Sequence, residues 1–143
     1  MSLLPPATNA DYRGAPLAAY FLGLVGVLTV VPGAIHRFLP DGGAGVIAGI
    51  DLSQHGAAVI RAFAWAGATQ IVWGITLVAA SLRYRSLVPL LLALLVVERG
   101  LIAATLWLDG GGHRPPAAYA TLGVLPLLLI ALWLSLRRRR AAG

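Results

Sequence analysis

The amino-acid sequence predicts an all-α integral membrane protein that folds as an antiparallel four-helix bundle. Apolar side chains make up 59% of the 143 residues and charged ones only 11%, a balance that excludes both a soluble domain and a disordered chain. The apolar residues also fall into four segments, each near the roughly 20 residues that a helix needs to cross a hydrocarbon core of about 30 Å. We therefore expect a single domain with four transmembrane helices.

The predicted membrane spans cover residues 17–39, 57–81, 87–108 and 117–136. In the first, Pro32-Gly33 predicts either a kink or a stop followed by a short amphipathic segment in the membrane interface. In the second, Gly67 and Gly74 allow a neighbouring helix to approach closely, so that Gln70 can hydrogen-bond across the contact. In the fourth, Pro126 removes one backbone hydrogen bond and favours another kink.

Arginine supplies every basic side chain, and the arginines cluster at one side of the predicted bundle. Arg83 and Arg85 lie between the second and third spans, and residues 137–140 are four consecutive arginines. Because basic segments stay in the cytoplasm, we expect both termini there, in a bacterial inner membrane, with the tail of residues 137–143 near anionic lipid headgroups. This placement of charge argues against nucleic acid as a partner.

The loop of residues 40–56 lies on the opposite, outer side and is long for a helical bundle. Its apolar residues Val46, Ile47 and Ile50 stand among glycines and polar residues. Apolar side chains avoid water, so we favour a loop that packs on the bundle as a lid over a solvated linker.

An acid and a base, Glu98 and Arg99, stand side by side near the midpoint of the third span. An ionisable group at that depth costs about 3 kcal/mol on insertion scales, so it must be paired or hydrated inside the bundle. Adjacent residues point about 100° apart around a helix, so we expect Arg61 of the second span, rather than Arg99, to pair with Glu98. Arg99 then needs a partner of its own, such as Gln70.

A wider polar and aromatic network surrounds this predicted pair. On the second span, Arg61, Trp65 and Trp73 recur at helical spacing and Gln70 lies beside them. On the third span, Glu98 and Thr105 share one face and Arg99 points away from it. The network thus consists of Arg61, Trp65, Gln70, Trp73, Glu98, Arg99 and Thr105. Two interpretations stay open. The network either fixes the register of the helices or forms the floor of a polar cavity in which Glu98 accepts a proton or binds a ligand.

Histidines and carboxylates form a second group of candidates, at the outer face. The members are His36, Asp51, His55, Asp109 and His113. These residue types bind zinc or copper, but no two of the histidines are four residues apart on one helix, and we predict no metal site. The chain has no cysteine, which excludes disulfides and thiolate metal sites. No motif assigns a catalytic residue, and no cofactor is required.

Several short motifs resemble those of the small DoxX-like four-helix membrane proteins of bacteria. They are the Gly-rich first helix ending in Pro-Gly, Arg61-Ala-Phe at the start of the second helix, Arg99 in the third, and Leu108-Asp109-Gly110 before the fourth. The resemblance implies the four-helix fold. It also implies a setting among quinone-linked or redox-associated membrane complexes, where some members are found.

Two functional hypotheses follow. The first is a non-enzymatic accessory protein that binds a small lipid-like or quinone-like ligand, in a homo-oligomer or with other membrane proteins. The alternative is a membrane enzyme or proton-coupled transporter in which Glu98 carries the proton while Arg61 and Arg99 bind an anionic substrate. A water-accessible pocket at Glu98 would favour the alternative, and a dry, fully packed ion pair the first hypothesis.

Overall fold

The computed structural model describes residues 3–108 and 114–137. Its four long helices are α1 (Pro16–Phe38), α2 (Gly56–Arg83), α3 (Val88–Leu108) and α4 (Pro116–Leu136). All four are long and apolar enough to cross a membrane. The predicted four-helix fold is therefore confirmed, and each predicted span ends within two residues of the observed helix.

Both internal prolines lie within continuous helices. α1 continues through Pro32 to Phe38, and α4 continues through Pro126. The alternative of a stop at Pro32-Gly33 is wrong, because a proline removes only one helical hydrogen bond and the following turn of α1 is held by close packing on α2.

Glycines bring the backbones of α1 and α2 together. A Cβ atom added to Gly74 would lie 2.6 Å from the Gly26 carbonyl oxygen, and one added to Gly67 would lie 2.6 Å from the Gly33 carbonyl oxygen. Both positions therefore exclude any larger residue, as predicted for Gly67 and Gly74. α1 packs along the length of α2 and α3 packs on α4, whereas α2 and α3 contact each other little.

One end of the bundle, which we call the Arg-rich end, gathers the N-terminal segment, the α2–α3 connection and the end of α4. The N–H of Thr8 donates to the Arg83 carbonyl, and its hydroxyl lies 2.7 Å from that of Ser86. The N–H of Ala15 donates to the Leu134 carbonyl, which ties the start of α1 to the last turn of α4. These contacts define an antiparallel arrangement.

The opposite end, which we call the loop end, carries the connection between α1 and α2. Asp41 organises it, because its carboxylate accepts hydrogen bonds from the backbone N–H groups of Gly43, Gly45 and Val46 at 2.8–3.1 Å. Ala44 is fully buried. The start of the loop, where Gly42 and Gly43 are also buried, is thus packed on the bundle. Val46 is 85% and Ile47 49% exposed, so the apolar side chains from which packing was predicted do not hold the loop there.

Candidate functional site

A groove of about 1050 Å³ runs between α2 and α3, and we call it the α2–α3 groove. It exists because these two helices contact each other little. Trp65 and Trp73 line it from α2, and Leu94 and Glu98 line it from α3. All of its lining residues lie within these two candidate membrane spans.

Two residues that line this groove, Gln70 and Glu98, each carry a buried side-chain oxygen, Oε1 and Oε2 respectively, with no hydrogen-bond partner among the described residues. Leaving such an atom unsatisfied costs about 1–3 kcal/mol. Nearby hydroxyls do not help, since Thr69 donates to the Trp65 carbonyl and Thr76 to the Val72 carbonyl. A molecule that brings donors would satisfy these acceptors once the two side chains turn toward the groove.

Glu98 pairs with Arg99, not with Arg61. Glu98 Oε2 lies 3.7 Å from Arg99 Nε, close enough for an ion pair but beyond hydrogen-bonding distance. The predicted Glu98–Arg61 pair is wrong, because Arg61 is exposed and has no ion pair or hydrogen bond to any described residue. Two long side chains that leave a helix at different angles can still bend toward each other, which helical angle alone does not capture.

A second space of about 420 Å³, the α1–α4 cavity, lies on the other side of this ion pair. His36 and Ala117 line it near the loop end of the bundle. Arg99 lines it from the middle of α3. Gln70 lines both this cavity and the α2–α3 groove. Glu98 borders only the groove and Arg99 only the cavity, so an acceptor and a donor face different spaces.

The outer-face candidates do not converge on one site. His36 lines the α1–α4 cavity, where its Nδ1 lies 2.7 Å from the Gly42 carbonyl oxygen and its ring meets Phe63 edge-on. A carbonyl only accepts, so Nδ1 carries the proton. His55 is exposed, with a left-handed φ of 57° just before α2.

The Asp51 carboxylate is exposed and accepts hydrogen bonds from Ser53 of the same loop. The backbone N–H of Ser53, followed by its hydroxyl, holds the pKa of the Asp51 carboxyl below its ordinary value. Asp109 and His113 lie outside the described residues. Across residues 3–108 and 114–137, no three His, Asp or Glu side chains cluster as metal ligands would.

Of the predicted network, the groove gathers Trp65, Gln70, Trp73 and Glu98. Thr105 is exposed and lines neither space. Thr29 and Thr121, which line the cavity beside Arg99, were not among the predicted residues. The sequence does distinguish them, since each is a hydroxyl-bearing residue within an apolar span.

No protein-family model matches this chain, and no curated protein or solved structure matches it either.

Proposed function

We propose that this protein is a non-enzymatic, multi-pass protein of a bacterial inner membrane that binds a quinol-like or lipid-like amphiphile in the α2–α3 groove. The Arg-rich end faces the cytoplasm in this proposal, following the distribution of basic residues. The groove faces lipid, so a ligand dissolved in the bilayer enters it from the side.

Two buried acceptors that receive no hydrogen bond from a described residue are the observation that carries the proposal. Gln70 Oε1 and Glu98 Oε2 are both buried, and the remaining groove lining is largely apolar and aromatic. A ligand with an apolar body and a hydroxyl donor satisfies both features at once. A quinol supplies hydroxyl donors on a ring, whereas a quinone supplies only acceptors and leaves both oxygens unsatisfied.

Aromatic side chains favour a ring-bearing ligand over a plain acyl chain. Trp65 and Trp73 both line the groove, and Trp65 is 80% exposed. Flat rings stack on indole faces with about 0.5–1.5 kcal/mol beyond simple area burial. The resemblance to DoxX-like proteins agrees with such a ligand and stays a prediction.

A pocket that reaches Glu98 was expected to favour the proton-coupled alternative, and the α2–α3 groove does reach Glu98, beside an ion pair that is not sealed in a packed core. It loses Arg61, which lines neither the groove nor the cavity. Any anionic substrate in this alternative depends on Arg99.

The test is equilibrium binding of a short-tailed benzoquinol to protein purified in neutral detergent under anaerobic conditions, followed by tryptophan fluorescence. Gln70→Leu and Glu98→Leu each remove one acceptor and should weaken binding about fivefold or more, equivalent to about 1 kcal/mol. Gln54→Leu, in the exposed loop, is the matched control. If the dimethyl ether of the same quinol, which has no donor, binds as tightly, the proposal is wrong.

A further inference from the structure

We infer that the α1–α4 cavity is a second binding site, and that it takes the carboxylate of an apolar carboxylic acid with Arg99 as its recognition group. This inference is independent of the amphiphile proposed for the α2–α3 groove, since it concerns a different space. It rests on the donors of Arg99 that no described residue accepts, on Gln70 being the one other uncommitted donor among the described lining residues, and on the apolar walls.

Arg99 brings hydrogen-bond donors that no described residue accepts. A guanidinium carries five N–H groups, and none of those on Arg99 donates a hydrogen bond to a residue that the structure describes. The side chain is only 22% exposed. A planar fork of donors inside a membrane span matches a carboxylate, which accepts two parallel hydrogen bonds from it.

Most of the other polar side chains that line the cavity already donate their protons to backbone carbonyls. The hydroxyl of Thr29 donates to the Val25 carbonyl at 2.7 Å, and that of Thr121 donates to the Ala117 carbonyl at 2.8 Å. Their protons are therefore occupied, as is the Nδ1 proton of His36. Only the Gln70 amide adds an uncommitted N–H group to this part of the described chain.

The walls indicate that an apolar body accompanies the carboxylate. Apart from the polar residues already named, the lining consists of Val25, Leu28, Pro32, Ala117, Ala120 and Val124. Such walls stabilise a hydrocarbon chain and offer nothing to the hydration shell of a phosphate dianion. A single guanidinium, already shared with Glu98, also matches one negative charge better than two.

Glu98 competes with the ligand for the same guanidinium. Its carboxylate lies 3.7 Å from Arg99 Nε without a hydrogen bond, so an incoming carboxylate with better geometry can take over the donors. Two carboxylates near one guanidinium also repel each other. Neutralising Glu98 should therefore strengthen binding, an effect that a purely structural role for Arg99 does not produce.

The experiment is calorimetric titration of octanoate into full-length protein in neutral detergent at pH 7.5, where octanoate is ionised. We expect saturable binding of octanoate. Its affinity should fall at least tenfold in Arg99→Gln and rise severalfold in Glu98→Gln. Arg61→Gln, which removes an exposed arginine of α2, is the matched control and should bind like the wild type. Unchanged affinity in Arg99→Gln, or weaker binding in Glu98→Gln, overturns the inference.

Two further ligands test what the cavity recognises, and a second variant tests its location in case Arg99→Gln does not fold. Octanol should not bind, and octanol binding as tightly as octanoate overturns carboxylate recognition. Acetate lacks the apolar body and should bind far more weakly, so acetate binding as tightly as octanoate contradicts the role of the apolar walls. Ala120→Leu enlarges a cavity-lining side chain of α4 and leaves Glu98 and Arg99 in place, and it should weaken octanoate binding but leave quinol binding in the groove unchanged. Full octanoate affinity in Ala120→Leu contradicts the location.

Discussion

Glu98 Oε2 lies 3.7 Å from the Nε atom of Arg99, the next residue along α3. The pair is partly accessible and has no hydrogen bond, so it resembles an exposed ion pair more than a fully buried one. We predict a coupling free energy of about 1 kcal/mol between Glu98→Gln and Arg99→Gln, measured by a double-mutant cycle on unfolding in detergent.

The second cycle, between Glu98→Gln and Arg61→Gln, is the control. Residues without contact or shared partners are additive within about 0.3–0.5 kcal/mol, so this cycle should give no coupling beyond that range. Strong coupling to Arg61 together with none to Arg99 would contradict the observed pairing.

Close packing of α1 on α2 makes Gly74 intolerant of even a methyl group. The added Cβ of Gly74→Ala would lie 2.6 Å from the Gly26 carbonyl oxygen, which must move away. We predict a loss of about 1–3 kcal/mol in the free energy of unfolding, as for other overpacked interiors.

Gly100→Ala is the matched control for Gly74→Ala. Gly100 also lies inside a helix, but a Cβ there meets no atom within 4 Å. Alanine is favoured over glycine in a helix interior by up to about 1 kcal/mol, so Gly100→Ala should be neutral or stabilising. Equal losses in the two variants would show that the α1–α2 contact has room for a methyl group at Gly74.

Asp41 holds the loop of residues 39–55 in its folded form. Hydrogen bonds from the backbone N–H groups, led by Val46 and followed by Gly43 and Gly45, hold the pKa of its carboxyl below the ordinary value. A carboxyl whose pKa is lowered by folding stabilises the folded loop above its ordinary pKa of about 4, and this stabilisation is lost as pH falls through the lowered value.

We therefore predict that Asp41→Ala lowers the amide-exchange protection of Gly43, Gly45 and Val46 at neutral pH and leaves it nearly independent of pH. In the wild type, the same amides should lose protection only in acid. Asp51→Ala is the control, since Asp51 bonds only to Ser53 and should not affect these three amides. Full protection in Asp41→Ala would mean that packing of Ala44 alone orders the loop.

The sequence predicted the helices closely because length and hydropathy decide a membrane span, whatever its neighbours are. Gly67 and Gly74 were likewise identifiable, since small residues spaced along one face of a membrane helix are typical of a close helix contact. The partner of Glu98 could not be identified from the sequence, because it depends on how two flexible side chains bend and on the separation of α2 from α3. Hydropathy carries no information about that separation, and the same separation created the groove.

The orientation in the membrane is the last prediction, and the absence of cysteine in the native chain makes it simple to test. Gln54→Cys places a thiol in the exposed loop at the loop end, and Ser86→Cys places one in the exposed α2–α3 connection at the Arg-rich end. Because Arg83 and Arg85 lie in or beside this connection, we expect it to remain in the cytoplasm. A membrane-impermeant maleimide added to intact spheroplasts should therefore label Gln54→Cys and spare Ser86→Cys, whereas both should react once the membrane is permeabilised. Labelling of Ser86→Cys in intact spheroplasts, with Gln54→Cys protected, would invert the orientation and place the loop end in the cytoplasm.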